Sequence, residues 1–150
     1  MAEPLPEPMR IALDEARESA RADEVPVGAV VTSGGEIVAR ARNRMRGSND
    51  PTAHAEMVAL RAAGEALGTS RLDECEIWVT LEPCAMCTAA IGLARIRRLH
   101  FGAPDPKGGA VLHGPRLYDQ PTCHHRPEVT GPLAEEEAGA MLRAFFRARR

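Results

Sequence analysis

The chain has 150 residues, a formal net charge of −2, 44% apolar residues and only 3% aromatic residues. This length suits one domain with a hydrophobic core built mainly from Ala, Val, Leu and Ile. The weak charge and the scarcity of rings argue against a general nucleic-acid binder, which is usually basic. Charge is unevenly spread, however, with 9 basic and 15 acidic residues in 1–83 against 10 basic and 6 acidic in 84–150. The C-terminal part can therefore face an anion.

The N-terminus predicts a cytoplasmic protein without a membrane segment. The sequence MAEPLPEPMR is acidic and rich in Pro, whereas a signal peptide begins basic and continues apolar. No apolar run approaches the roughly 20 residues that a membrane-spanning helix needs. The four Cys are accordingly expected to be metal ligands or free thiols rather than a disulfide framework.

Hydrophobic periodicity and turn residues predict one three-layer α/β/α domain over residues 1–150, with a mixed sheet between helices. In chain order the elements are a helix over 8–22, a hairpin of strands over 27–32 and 36–44, a helix over 53–66, a strand over 75–81, a helix over 83–95, a strand over 97–102, a strand over 126–130 and a helix that begins near Pro132. The strand over 75–81 is almost continuously apolar and is expected to be buried on both faces. Residues 103–125 form a long loop with one helical turn, and loops of that length are usually functional.

The segment PTAHAEMVAL (51–60) places His54 two residues before Glu56 at the start of the second predicted helix. A helix start has unpaired backbone N–H groups and a partial positive charge, which favours a carboxylate. A neutral His can ligate a metal there. The pair indicates a functional site if the rest of the chain supplies further ligands.

The segment TLEPCAMC (80–87) supplies two more ligands. Cys84 and Cys87 are three residues apart and share one face of a first helical turn, where thiolates are favoured. With His54 they give three ligands, the number in a catalytic zinc site whose fourth position is left for water. Glu56 is not needed as a ligand and can accept a proton from that water.

Three other interpretations of these motifs remain open. Cys-x-x-Cys at a helix start also occurs in thioredoxin-like redox sites, although that leaves His54 and Glu56 without a role. His54 and Glu56 can also be an ordinary surface His and a helix-start Glu. The last interpretation is a structural zinc site, with a fourth ligand from Cys75, Cys123, His124 or His125.

His-x-Glu followed by Pro-Cys-x-x-Cys is the known signature of zinc-dependent nucleobase deaminases. The likeness extends to five stretches: EVPVGAV (24–30), DPTAHAE (50–56), VTLEPCAMC (79–87), ARIRRLHFGAPDPKGGA (94–110) and FFRARR (145–150). In this order, and over nearly the whole chain, the sequence resembles the bacterial tRNA-specific adenosine deaminase family.

The resemblance implies a cytidine-deaminase-like fold with a five-stranded sheet, and a homodimer. The implied reaction is hydrolysis of adenosine to inosine at the wobble position, in the anticodon stem-loop of a tRNA. The implied zinc ligands are His54, Cys84 and Cys87, with Glu56 as the proton shuttle. The implied substrate-binding residues are Asn43, Ala55, Asp105, Lys107 and Phe146.

Alternation along the second strand of the hairpin points Asn43 inward and a row of arginines outward. Asn43 either offers its amide to a base or caps a turn. The outward arginines either contact phosphates or protect an edge strand from pairing: Arg40, Arg42, Arg44 and Arg46. The arginines at the end of the chain are expected first to stabilise the negative end of the last helix and second to contact RNA: Arg147, Arg149 and Arg150.

Two stretches depart from the family pattern, which leaves the contacts to bases beside the target undefined. Family members often carry Thr after the loop Lys, where this chain has KGGAVLHG, and often Asn where it has Cys123 or His124. Two other functions stay open at this stage. One is a deaminase of free cytosine, guanine or a nucleoside with the same zinc site, and the other is a non-catalytic binding module stabilised by zinc.

Overall fold

Four α-helices and five β-strands are found in residues 4–149, which are the residues that this computed structural model describes. The helices are α1 (Glu7–Arg21), α2 (Ala55–Leu67), α3 (Ala85–Leu93) and α4 (Glu135–Arg147). The strands are β1 (Gly28–Ser33), β2 (Glu36–Arg42), β3 (Cys75–Leu81), β4 (Arg98–Ala103) and β5 (Glu128–Thr130). The long loop after β4 contains the expected single turn, a 3-10 helix over Leu117–Asp119. No helix within residues 4–149 combines the length and the apolar character that a membrane span requires.

The strands form one mixed sheet in the order β2-β1-β3-β4-β5. β1 is antiparallel to both of its neighbours, whereas β3, β4 and β5 are mutually parallel. β2, β3 and β4 therefore run in the same direction and end at the same edge of the sheet. The segments that follow these three strands meet there, and we call this edge the site edge.

Helices cover both faces of the sheet, which confirms the three-layer prediction. On one face, α2 and α3 bury an apolar cluster that includes Ala59, Leu60, Ala63, Ile91, Ile77, Val79 and Leu99. On the other face, α1 and α4 bury a second cluster that includes Met9, Leu13, Ala138, Val30 and Trp78. The central strand β3 contributes to both clusters, as its continuous apolar character predicts. Gly28 lets α1 lie directly on β1, because a Cβ there would stand 2.0 Å from the carbonyl oxygen of Ala12.

Two helices begin about two residues later than the sequence predicts, and both start at the site edge. Before α2, the N–H and the hydroxyl of Thr52 donate to Oδ1 of Asp50 at 2.9 and 2.7 Å, so residues 50–53 form a turn. Before α3, Cys84 has an extended backbone with φ −71° and ψ 175°. Both starts therefore present a residue in extended conformation, His54 and Cys84, directly before the first helical turn.

The last helix begins at Glu135 rather than near Pro132. The N–H groups of Leu133 and Ala134 donate to carbonyl oxygens of β4 at 3.0 and 2.9 Å. These residues therefore extend along the sheet before the chain turns into α4. The acidic first turn of α4 then matches the positive end of the helix, as the sequence indicates.

Candidate metal and catalytic centre

The starts of α2 and α3 meet above the site edge and bring the two sequence motifs together. His54 directly precedes α2, Cys84 directly precedes α3, and Cys87 lies in the first turn of α3. Neither His54 nor Cys84 caps its helix with a side-chain hydrogen bond, and the partial positive charge of each helix start favours negative groups nearby. That field favours thiolates, which are the form of Cys that binds a metal.

The three potential ligand atoms fit a tetrahedral zinc ion. Nδ1 of His54 lies 3.5 Å from Sγ of Cys84 and 3.6 Å from Sγ of Cys87. All three atoms lie within 4.8 Å of one another. Zinc bonds of about 2.3 Å to sulfur and about 2.1 Å to nitrogen, at tetrahedral angles, place N and S about 3.6 Å apart. One imidazole and two thiols also form a donor set that zinc prefers.

The remaining Cys and His candidates lie apart from this cluster. Within residues 4–149, His54, Cys84 and Cys87 form the one group of three or more His, Cys, Asp or Glu side chains close enough to share an ion. Cys75 lies at the opposite end of β3. The Cys123 thiol donates to the carbonyl oxygen of His125, and the His125 ring contacts the carbonyl oxygen of Ile96 at 2.7 Å. The structure therefore does not support a closed four-ligand site.

The Cys84 and Cys87 side chains are joined by a hydrogen bond. A hydrogen bond from Cys87, aided by the neighbouring His54, lowers the pKa of Cys84 to about 5. The same hydrogen bond raises the pKa of Cys87, and burial raises it further. The lowered pKa of Cys84 makes it a suitable metal ligand, since a thiolate is the form that binds a metal.

Glu56 lies in the first turn of α2 and is almost completely buried beside the cluster. Burial raises the pKa of its carboxyl group to about 7, and the negative charge of Cys84 adds to this effect. A carboxyl group with a pKa near neutrality can both accept and return a proton at physiological pH. Glu56 therefore has the character of a general acid–base group.

A cavity of about 180 Å³ opens above the cluster. Its walls come from the segment that precedes β1 and from the segments that follow β2, β3 and β4, all at the site edge. The lining residues are Val25, Val27, Asn43, Met45, His54, Glu56, Leu81, Glu82, Cys84, Asp105 and Gly108. The cavity is lined by apolar groups with a few polar ones, a composition typical of small-ligand sites.

Asn43 and Ala55, both expected to bind substrate, are bonded to each other. The N–H of Ala55 donates to Oδ1 of Asn43 at 2.8 Å, and Nδ2 of Asn43 donates to the carbonyl oxygen of Val25 at 3.2 Å. Asn43 is buried, as the alternation along the hairpin predicts, although β2 itself ends one residue earlier. Its amide fixes the start of α2 and at the same time lines the cavity.

Three of the four outward arginines of the hairpin have acidic partners within the protein. Arg40 and Arg42 both pair with Glu15 of α1, at 3.0 and 3.7 Å. Arg46 pairs with Asp23 at 2.6 Å. These contacts give the three arginines a structural function on the α1 side, beyond the two functions that the sequence suggested.

Asp105 and Lys107 lie in the loop after β4, on the rim of the cavity. Oδ1 of Asp105 accepts the N–H groups of Lys107 and Gly108 at 3.2 and 3.0 Å, which forms a tight turn. Asp105 lines the cavity, whereas the side chain of Lys107 is exposed. The Gly after Lys107, where the family often has Thr, is part of this turn.

Phe146 does not line the cavity but lies on an exposed face of α4. Its side chain is 48% exposed and borders a shallow cleft with Leu142, Arg143 and Arg147. The guanidinium group of Arg149 already has partners within the protein, since it pairs with Asp23 and lies 3.5 Å above the ring of Phe145. Arg150 lies outside the described residues.

Glu82 is a cavity residue to which the sequence analysis assigned no function. Its side chain has no exposed surface. Burial raises its pKa, but hydrogen bonds from Asp105 and His113 outweigh that effect and hold the pKa below its usual range. The available signal was a charged residue at the end of an otherwise apolar strand, directly before the Pro-Cys motif.

Comparison with known proteins gives a consistent result. The model of the cytidine and deoxycytidylate deaminase zinc-binding region matches residues 3–103. The chain is 56% identical over 142 residues to a tRNA-specific adenosine deaminase of Agrobacterium fabrum, with 95% of this chain and 93% of that protein covered. A solved structure from work on tRNA:A34 deaminases matches with a TM-score of 0.89 and 56% identity, over 90% of this chain and 98% of that one. A guanine deaminase of Nitrosomonas europaea matches with a TM-score of 0.75 and 26% identity, over 92% and 82% of the two chains.

Proposed function

Since the chain belongs to the tRNA-specific adenosine deaminase family, we propose that it hydrolyses adenosine to inosine at the wobble position of a tRNA. The observation that carries this proposal is the three-ligand cluster with a buried Glu56 beside it, on the wall of a small cavity. An anticodon loop presents unstacked bases, so a target base can enter such a cavity at low cost.

His54, Cys84 and Cys87 hold the zinc ion in this proposal. The chemistry that zinc supplies when bound is a water molecule that loses a proton near pH 7. Glu56 accepts that proton at its carboxylate and delivers it to N1 of the adenine. With a hydroxyl group added at C6, Glu56 then takes the proton of that hydroxyl group and delivers it to the exocyclic amino group, which leaves as ammonia. Water is consumed, ammonia is released, and Glu56 returns to its initial state.

Asn43 keeps enough free hydrogen-bonding capacity to hold the base. An amide group has two donor hydrogens and two acceptor lone pairs, and Asn43 uses one of each for Val25 and Ala55. The remaining pair can face a base edge in the cavity. We expect Asn43→Ala to slow turnover more than it weakens tRNA binding, because Asn43 acts on a single base.

Contacts to the tRNA backbone are proposed for the loop after β4 and for α4. Lys107 is exposed on the rim of the cavity. Arg143, Phe146 and Arg147 lie together on one exposed face of α4, and neither arginine takes part in an ion pair within residues 4–149. Free arginines beside an exposed ring suit an RNA backbone with an unstacked base.

A homodimer is supported by the exposed face of α3. The sequence of this helix, AMCTAAIGL, contains no charged residue. Ala85, Ala89 and Leu93 are spaced four residues apart and form an exposed stripe, with Leu93 81% exposed. A cavity of about 290 Å³ lies beside this stripe. Exposed apolar patches of this kind are typical of protein–protein interfaces, and we propose a second copy of the chain as the partner.

A cytoplasmic location completes the proposal. Cys84 and Cys87 must stay reduced to bind zinc, and thiols persist in the reducing cytoplasm. The substrate, tRNA, is found there as well. Fractionation of cells that express the tagged protein checks this location.

An inosine assay tests the function directly. Purified protein is incubated with total tRNA lacking inosine, and separately with adenine, guanine, cytosine, adenosine and cytidine. The proposal expects inosine in tRNA and far slower release of ammonia from the free compounds. If guanine or a free nucleoside is deaminated as efficiently as tRNA, the chain is a small-molecule deaminase, as the likeness to guanine deaminase allows. If no substrate reacts with the zinc-loaded protein, it is a binding module.

A further inference from the structure

Glu82 is a carboxylate buried between β3 and α3. It directly follows the last residue of β3 and stands two residues before Cys84. Burial of a charged group costs free energy unless hydrogen bonds replace the lost water. The hydrogen-bond partners of Glu82 therefore indicate its function.

All the donors to Glu82 come from one loop, the segment that follows β4. Oε2 of Glu82 accepts the N–H groups of Val111, Leu112 and His113 at 3.2, 2.9 and 3.2 Å. Oε1 accepts the N–H of Asp105 at 3.0 Å and lies 2.7 Å from Nδ1 of His113. A carboxylate suits this arrangement because both of its oxygens only accept hydrogen bonds. We call residues 105–113 the rim loop.

The rim loop forms one wall of the cavity above the metal cluster. Asp105 and Gly108 line the cavity, and Lys107 stands exposed on its edge. The loop is also joined to the segment that leads to Cys84, because the N–H of Ala110 donates to the carbonyl oxygen of Pro83 at 2.9 Å. Glu82 thus lies at the junction between a cavity wall and a metal ligand.

The close approach of the rim loop to Glu82 also explains a glycine. A Cβ on Gly109 would stand 2.4 Å from the carboxyl carbon of Glu82 and 2.6 Å from the carbonyl oxygen of Asp105. Neither a buried carboxylate in five hydrogen bonds nor a backbone carbonyl can move aside easily. The second Gly of KGGAVLHG is therefore required for the loop to wrap around Glu82.

We propose that Glu82 is a positioning residue whose carboxylate holds the rim loop as the cavity wall against which the target nucleotide docks. Glu82 touches the backbone of the loop and does not contact the reacting atoms. Without the Glu82 carboxylate, the rim loop must be ordered each time substrate binds. The free energy spent on this ordering weakens binding, so it raises KM more than it lowers kcat. The identity of that substrate rests on the proposed function, whereas the attachment of the loop does not.

Glu82→Gln tests the inference, since Gln has nearly the same shape but replaces one acceptor oxygen with a donor group. Hydrogen exchange at the amides of Asp105, Val111, Leu112 and His113 is measured, together with zinc content and the kcat and KM for tRNA. Hydrogen bonds to a charged group stabilise the folded loop strongly enough that their loss accelerates amide hydrogen exchange by about tenfold or more. We expect exchange to accelerate by that factor, KM to rise about tenfold, kcat to change far less, and zinc to stay bound.

Glu76→Gln is the matched control. Glu76 lies at the other end of the same strand, where its carboxylate is 2.7 Å from Nε2 of His100. This substitution also removes a carboxylate that is bonded to a His ring, but far from the rim loop. We expect wild-type exchange in the rim loop and a wild-type KM.

His113→Ala covers the case in which Glu82→Gln does not fold. It removes one donor from a partly exposed side chain and leaves the carboxylate in place. We expect faster exchange in the rim loop and a smaller rise in KM. Wild-type exchange in the variants that fold, loss of zinc in Glu82→Gln, or a fall in kcat with KM unchanged would each overturn the inference. If the loop loosens while the wild-type protein fails to modify tRNA, the proposed function is wrong and the attachment of the loop by Glu82 stands.

Discussion

Asp23 and Arg149 are 126 positions apart in the sequence and form an ion pair, with Nε of Arg149 3.0 Å from Oδ1 of Asp23. Asp23 also binds Arg46 at 2.6 Å, in the segment that follows β2. Arg149 in turn lies over the ring of Phe145 and donates to its carbonyl oxygen. Asp23 therefore joins the end of α4 to the segment that follows β2, at the site edge.

We expect Asp23→Ala to weaken tRNA binding several-fold without loss of zinc, because the end of α4 is released. The hydrogen bond from Arg149 lowers the pKa of Asp23, so the ion pair is intact at neutral pH and is lost only as the pH falls through that lowered pKa. Filter binding and metal analysis measure the two effects. Asp14→Ala is the control, since Asp14 is an exposed acid whose one ion-pair partner within residues 4–149 is Arg17 of the same helix. Equal tRNA affinity of the two variants would contradict the expectation.

Zinc content tests the metal cluster. We expect about one zinc ion per chain, lost on replacement of His54, Cys84 or Cys87 by Ala, because each supplies one of only three ligands. Elemental analysis after gel filtration gives the ratio. Cys123→Ala is the matched control, since this thiol lies outside the cluster and should leave the zinc content unchanged. Full zinc in the Cys87→Ala protein would exclude Cys87 from the site.

Glu56→Ala separates chemistry from binding. We expect zinc and tRNA affinity to be kept and deamination to fall by at least the roughly 10² to 10⁴ typical of a general acid–base group. Single-turnover inosine formation measures this loss. Glu65→Ala, at an exposed position of the same helix, should leave the rate unchanged. Near-normal turnover of the Glu56 variant would rule out the proton-transfer mechanism.

Salt dependence tests the face of α4. Phosphate contacts release counterions, so we expect replacement of Arg143 and Arg147 by Ala to weaken tRNA binding. The slope of log K against log salt should fall by about 0.7, the value for single strands, for each phosphate that these arginines no longer neutralise. Arg71→Ala, an exposed arginine paired with Asp73, serves as the control. An unchanged slope in the double variant would place the tRNA backbone elsewhere on the protein.

Light scattering with size-exclusion chromatography tests the homodimer. We expect Leu93→Glu to convert a dimer into a monomer, because it places a charge within the apolar stripe of α3. Leu67→Glu alters another exposed leucine, at the end of α2, and should leave the dimer intact. A wild-type protein that is monomeric at all concentrations refutes this part of the proposal.

The proximity of His54, Cys84 and Cys87 could be predicted from the sequence because the information is local. His54, Glu56, Cys84 and Cys87 occupy two short motifs, and each motif coincides with a helix start. The bounds of β3 are those predicted, because a short apolar run between polar segments leaves little choice of ends. The geometry of the four side chains follows once both helices lie on the same face of the sheet.

Long-range contacts could not be predicted in this way. The donors to Glu82 lie 23 to 31 residues away, in a loop without periodicity, and the partner of Arg149 lies at the other end of the chain. The arginines of the hairpin were expected to contact phosphates or to protect an edge strand, and the pairing of Arg40 and Arg42 with one acid of α1 adds a contact that the sequence did not indicate. The alternation of side chains along a strand predicts which face of the sheet each residue lies on. The ion-pair partner of an outward residue depends on which helix packs against that face.

The ion pair of Asp23 with Arg149 also determines where a label or carrier can be attached. α1 has 15 residues and ends close to Val25 on the cavity wall, so its start lies about 22 Å further away. Glu7 therefore lies far from the cavity wall, whereas Arg149 is held at Asp23, two residues beyond the end of α1. A fluorophore or immobilisation tag joined to the amino end leaves the approach of a tRNA open, and the same group at the carboxyl end obstructs it.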